Sequence, residues 1–377
     1  MQRLRPLLWS AGTAGAAQLL SSRAHAQSSS TETNGDGVTI SSRAIAAAYA
    51  ERLATTDGKR YTLEYLDRST RFSVWRGDGV RSSFSEMISA ATTYDVVMLG
   101  ETHYDAIAHK LQEVIVARLA AVQPIALSLE MFETDVQYVL NEYLRGQTHE
   151  RDLLRDARPW ANYEAHYRPM VELAKAAGLP VVAANAPRRY VSAIGREGEA
   201  AFTRGAWCDH ALAALPPLPL PEPSATYMAR LLADPEVVPT VATPGETGDE
   251  RAAGSDGGCP YIGLRSRQGL VDPMRLWDAS MAFCISHALA AVVHQHVVHV
   301  CGSDHCLGVR EMLSHYKPEA RALVIAMYPE EDFHTFVAAR HGGYDFVVLT
   351  DGSLSDGSVS SSPSPSSPPA PPSPPPP

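Results

Sequence analysis

A chain of 377 residues with 45% hydrophobic and 20% charged residues has ordinary globular composition, enough for one large domain and a smaller one. Its formal net charge of −10 gives no basic footprint for nucleic acid, and no stretch approaches the roughly 18 to 20 apolar residues that span a bilayer. Five cysteines without a CxxC pair specify neither a zinc knuckle nor a full disulfide framework.

Residues 1–31 read as a targeting presequence, with arginines, many Ala and Ser residues, and no acidic residue before Glu32. That bias suits delivery to an organelle, the chloroplast ahead of the mitochondrion. Secretion is the alternative, since Arg3 and Arg5, a modest core from Leu7 to Leu20 and Ala24-His25-Ala26 also fit a signal peptide. Residues 32–60 form a flexible or helical lead-in. From Tyr61 to Trp75 a partial alternation of apolar and polar residues predicts a short β-hairpin. Ser83-Phe84-Ser85-Glu86 then opens a short helix through a capping box.

Asp95-Val96-Val97-Met98-Leu99-Gly100-Glu101-Thr102-His103 is the most informative stretch. Its apolar run is short and has no polar alternation, as in a strand buried on both faces. Gly100 allows a sharp turn, and Glu101 and His103 follow at the strand's carboxyl end, where open α/β sheets place their ligands. Helical spacing follows from Ile107 to Val122, with His109 on that helix.

Three further runs repeat the plan. Ile125 to Leu129 ends in Glu130, Val181 to Ala184 ends in Asn185-Ala186-Pro187-Arg188, and Val297 to Cys301 ends in Gly302-Ser303-Asp304-His305. Between the first two lie the aromatic loop Trp160-Ala161-Asn162-Tyr163 and a helix from Glu164 to Ala177, stopped by Gly178 and Pro180. A long helix is expected from Pro273 to His294, and Ala322 to Met327 and Phe346 to Leu349 can complete the sheet. Apolar runs alternating with helices predict a three-layer α/β/α fold with a mostly parallel central sheet. The α/β domain then falls into two halves, 61–189 and 271–350. They are separated by a helical subdomain at 190–270, which carries a disordered insertion at 243–258. Residues 351–377 form a disordered Ser/Pro-rich tail.

In a parallel sheet all four strand ends lie on one edge, so Glu101, His103, Glu130 and His305 converge as candidate catalytic residues. Two histidines and a glutamate, His103, His305 and Glu101, suit a divalent metal with an open position for water. Without metal the same groups suit general acid–base chemistry, and Arg188 can hold a carboxylate through paired hydrogen bonds.

The ordered motifs Gly100-Glu101-Thr102-His103, Ser128-Leu129-Glu130-Met131-Phe132, Ala184-Asn185-Ala186-Pro187-Arg188, Leu276-Trp277-Asp278-Ala279-Ser280-Met281-Ala282 and Gly302-Ser303-Asp304-His305 together resemble the ChaN-type haem-binding uptake family of the Tiki superfamily, related to TraB/PrgY and erythromycin esterase-like proteins. The resemblance implies the same three-layer fold, haem as cofactor, a role in haem or iron handling, and a haem-dependent homodimer. It implies tyrosine ligation of haem iron with a histidine contribution. Tyr104, Tyr163 and Tyr167 are the candidate tyrosines, with His103, His109, Asn185, Arg188 and Trp277 as further cofactor-binding candidates. The alternative it implies is a hydrolase, metal-dependent or Glu/His-based, of the Tiki or erythromycin esterase type.

Overall fold

Six consecutive buried residues, Val96–Glu101, form the strand on which the molecule is assembled. The computed structural model describes residues 31–33, 39–53, 62–204, 207–233, 268–291 and 295–354. The presequence before Thr31, the insertion expected at 243–258 and the tail beyond Leu354 lie outside the described residues. In chain order the strands are β1 (Thr31–Thr33), β2 (Thr39–Ser41), β3 (Phe72–Arg76), β4 (Arg81–Ser82), β5 (Val96–Glu101), β6 (Ile125–Glu133), β7 (Val181–Asn185), β8 (His296–Gly302), β9 (Ala322–Glu330) and β10 (Phe346–Asp351).

The first two pair with each other, and the other eight form one sheet in the order β4-β3-β10-β9-β5-β8-β6-β7. β10, β9, β5, β8, β6 and β7 run parallel, and β3 and β4 add an antiparallel edge. Register aligns the strand ends: Glu101 lies opposite Gly302, and Leu99 and Leu129 both lie opposite Val300. The expected α/β architecture is therefore the observed one.

Helices cover both faces, as a sheet buried on both sides requires. Val97, Leu99, Leu127, Leu129, Val298 and Val300 pack in one core with the helices Ala106–Val122 and Arg168–Ala177. Val96, Met98, Ala126, Val297 and Cys301 pack in the other, with the helices Gln268–Ala291 and Ser303–Tyr316. Because side chains alternate along a strand, odd residues of β5 and even residues of β6 serve opposite layers. This parity decides where the strand-end carboxylates go. No helix among the described residues is long and apolar enough to cross a membrane.

Local chemistry accounts for most boundaries. Ser83 and Glu86 form the expected capping box at the start of Phe84–Ala91. Gly178, at φ 62°, closes Arg168–Ala177 in the left-handed region. Three expectations need correction. The hairpin lies at Phe72–Ser82, not at Tyr61–Trp75, because Leu63–Asp67 is a helix whose cap, Thr62, accepts a hydrogen bond from the Tyr65 N–H. The helix expected from Pro273 begins at Gln268, with Pro273 inside it, and buried Val271 and Met274 hold that turn against the core. Tyr163–Tyr167 is a π-helical turn that feeds into the helix beginning at Arg168.

The end of β5 sits directly on the helix that follows β8. A Cβ at Gly100 would lie 2.8 Å from Cys306 Sγ and 3.0 Å from Ser303 Cα. Gly100→Ala should therefore force the Ser303–Tyr316 helix away from β5 and cost about 1–3 kcal/mol, read as a lowered midpoint in urea denaturation.

Candidate functional site

Glu101 ends β5 with its side chain on the layer of the Ala106–Val122 helix, and it is buried. Three donors converge on its carboxylate. His103 Nδ1 lies 3.1 Å from Oε1, Gln112 Nε2 donates to Oε2 at 2.8 Å, and the Tyr167 hydroxyl donates to Oε1. Gln112, its amide N–H spent on Glu101, turns its oxygen to His109 Nδ1 at 3.0 Å, while His109 Nε2 meets the carbonyl of His103 at 3.0 Å. Both ring nitrogens of His109 thus face acceptors. Its Nδ1 is 3.4 Å from Glu101 Oε2. Burial alone would raise the Glu101 pKa. The charge of His109 and the hydrogen bonds from His103 and Tyr167 outweigh it and hold the carboxyl at about 2.

His103 is in turn oriented by Glu101. Its Nδ1 is taken, which leaves Nε2 as the other ring nitrogen, 3.6 Å from where a Cβ at Gly302 would lie. Burial pulls its pKa down, but the hydrogen bond to Glu101 and the charges of Glu130 and Glu101 prevail and raise it. Trp160 meets the ring edge-on at 4.6 Å, and Asn162 donates to the His103 carbonyl at 2.6 Å.

Glu130 projects into the opposite layer. Its Oε2 accepts the Gly302 N–H at 2.7 Å, and its Oε1 is 3.7 Å from His305 Nε2. His305, in the first turn after β8, donates through Nδ1 to Asp278 Oδ1 at 2.6 Å, and Tyr227 donates to Asp278 Oδ2 at 2.9 Å. Burial and the Asp278 carboxylate push the Tyr227 hydroxyl well above its ordinary range. Beneath them His299 is fully buried against Ser128, and burial followed by the charge of His305 pulls its pKa down to about 3.

The two halves meet at Gly302. A Cβ there would lie 3.3 Å from His103 Cε1 and 3.7 Å from His305 Cδ2, so both imidazoles flank one backbone position at the sheet edge. The side chain of His103 is 18% exposed and that of His305 6%, which makes His103 the outer ring and His305 the inner one. The arrangement is two carboxylate-oriented imidazoles with Glu130 beside them: Glu101 orients His103 and Asp278 orients His305.

The remaining sequence candidates lie in different places. Tyr104 is 37% exposed beside His103. Tyr163 and Tyr167 are buried, Tyr167 on Glu101 and Tyr163 against Phe132. His109 is buried within the Glu101 network and stacks on His166 at 4.3 Å. Trp277 is buried and meets His305 edge-on at 5.9 Å. Asn185 keeps a buried amide oxygen with no protein partner, and Arg188 lies near Glu133. Among the described residues no group of three or more His, Cys, Asp or Glu side chains is placed to hold a metal ion. Gln112, Tyr227 and Trp160 were not candidates. The only sequence signal for them was the neighbouring motif residue Asp278 and the aromatic character of the 160–163 loop.

The model of a family described as haem-binding uptake, Tiki superfamily, ChaN matches residues 87–313, more than half of the chain. No curated protein matches it. A solved structure described as "Cofacial heme binding to ChaN of Campylobacter jejuni" is similar at 17% identity with a TM-score of 0.48; the similarity covers 75% of this chain and 98% of that one.

The Glu101 network sets an acid limit. A carboxylate whose folded pKa is depressed contributes stability that is present above its unfolded value and lost as pH falls toward the folded one. Stability should therefore decline between the ordinary carboxylate range and about pH 2. Glu101→Gln should be less stable at pH 7 and show a flatter decline over that window, measured by chemical denaturation at a series of pH values.

Proposed function

The chain belongs to the ChaN haem-binding uptake family of the Tiki superfamily, and from that premise we propose that it binds haem at the carboxyl edge of its sheet, in haem or iron handling. The observation that carries this reading is His103. A carboxylate fixes its Nδ1 and its side chain is 18% exposed, in keeping with a histidine that serves iron as a ligand with an oriented ring. Tyr104 is the tyrosine that fits beside it, because its ring is exposed whereas Tyr163 and Tyr167 are enclosed. His103 and Tyr104 would thus hold the iron, and Glu101 would set the His103 ring. Closure of a second copy over the exposed ligand face belongs to the same proposal. So does delivery to an organelle, supported by the acid-poor first 31 residues.

Hemin titration followed in the Soret region tests the reading. Wild type should give a saturable shifted band. His103→Ala and Tyr104→Phe should weaken binding at least tenfold, and Glu101→Gln by about 10- to 100-fold through the ring it orients. A wild-type spectrum that is the sum of protein and free hemin overturns it.

One observation favours a second reading. Asp278–His305, backed by Tyr227 and facing Glu130, has the form of an oriented general base, and haem ligation at His103 makes no use of it. Under a hydrolytic role, turnover of an activated ester should be measurable without haem. Asp278→Asn should then lower kcat at least 100-fold with KM little changed, and the absence of turnover by wild type would dismiss it.

A further inference from the structure

Beyond the imidazoles, the same edge carries a cluster of three arginines. Glu133, the last residue of β6, and Asp135, just after it, lie largely covered, with side chains 12% and 17% exposed. Arg158 donates to both, at 2.8 and 2.7 Å. Arg189 donates to Asp135 at 2.5 Å, and Arg188 Nε is 3.4 Å from Glu133. Each arginine side chain is about half exposed.

Three positive charges over two negative ones leave a local excess of one, on a chain whose net charge is −10. Exposed ion pairs of this kind contribute only about 0–1 kcal/mol each, so stability alone is a weak reason to order three long side chains. Arg158 also sits at φ 51°, a left-handed conformation unfavourable for a residue with a Cβ. Arg188 and Arg189 open the ten-residue helix Arg188–Glu197, whose first turn has no side-chain cap, so its exposed N–H groups add to the positive field.

The cluster is tied to the imidazole edge by a short piece of chain. Trp160, which contacts His103, follows Arg158 by two residues, a span of at most about 7 Å. Asn162 anchors the same loop on the His103 carbonyl.

We propose that Arg188, supported by Arg158 and Arg189, is a carboxylate clamp that receives the propionate groups of a porphyrin whose metal lies at His103. The inference rests on the haem reading above. It supplies what that reading lacks, an orientation for the ring: paired N–H donors on a planar guanidinium match a carboxylate, and the arginine side chains held by Glu133 and Asp135 stay about half exposed. Of the three, Arg188 touches the acidic pair least, which makes it the residue to change.

The test compares hemin with hemin dimethyl ester, in which both propionates are blocked, by Soret titration of the full chain. Wild type should bind hemin at least tenfold tighter than the ester, the value of a charge-assisted pair. Arg188→Ala should bring the two ligands to within about threefold while leaving ester affinity unchanged, and Arg188→Lys should fall between. Equal affinity of wild type for both ligands overturns the clamp and leaves haem binding standing, as does an Arg188→Ala protein that weakens both ligands equally. Failure of wild type to bind either ligand removes the haem reading and the clamp together.

Discussion

The structure depends on keeping one carboxylate charged inside the protein. Glu101 is buried at the end of the central strand, where an uncompensated charge would cost several kcal/mol. The groups that compensate it come from three different elements. His103 follows the strand, Gln112 and His109 lie on the next helix, and Tyr167 comes from the π turn. Satisfying one group therefore fixes the approach of three segments. The π turn gains a reason from this: it sets Tyr163, His166 and Tyr167 all inward, and unusual helical turns of this kind occur where function needs such placement.

Strand parity then divides the site. Glu101, the last residue of β5, and Glu130, within β6, lie on one sheet but project into opposite layers, and each layer supplies its own support. His103 is oriented by a carboxylate on its own strand. His305 is oriented by Asp278, 27 residues earlier on a helix of the other layer. Gly302 is where they meet, since a Cβ there would crowd His103 and touch His305. Its N–H also fastens Glu130. One backbone position without a Cβ thus keeps two separately built halves within reach of each other.

Much of this was legible in the sequence because it is governed by local or periodic rules. Unbroken apolar runs marked the parallel strands, and the residues that end them marked the edge. The Ser83–Glu86 box and Gly178 marked helix boundaries. What was not legible involves partners that no local rule connects. Gln112 and His109 face inward because Glu101 needs partners there, and helical spacing alone does not mark them. Tyr227 and Asp278 are 51 residues apart. Leu63–Asp67 reads as alternation, but one capped turn that buries Leu66 is enough to make it helical. The arginine cluster was visible only as Arg188, since Arg158 and Glu133 come together through folding.

The same geometry bears on how the two readings of the edge relate. His103 is the outer imidazole and His305 the inner one, and both flank Gly302. Asp278 and Tyr227 play no part in holding a ligand on His103, yet they satisfy His305 with a buried carboxylate that is costly to place. An inner imidazole needed only as packing could be replaced by an apolar side chain at lower cost. The retained polar chain from Tyr227 through Asp278 to His305 is thus the feature of this edge that haem capture leaves without a use.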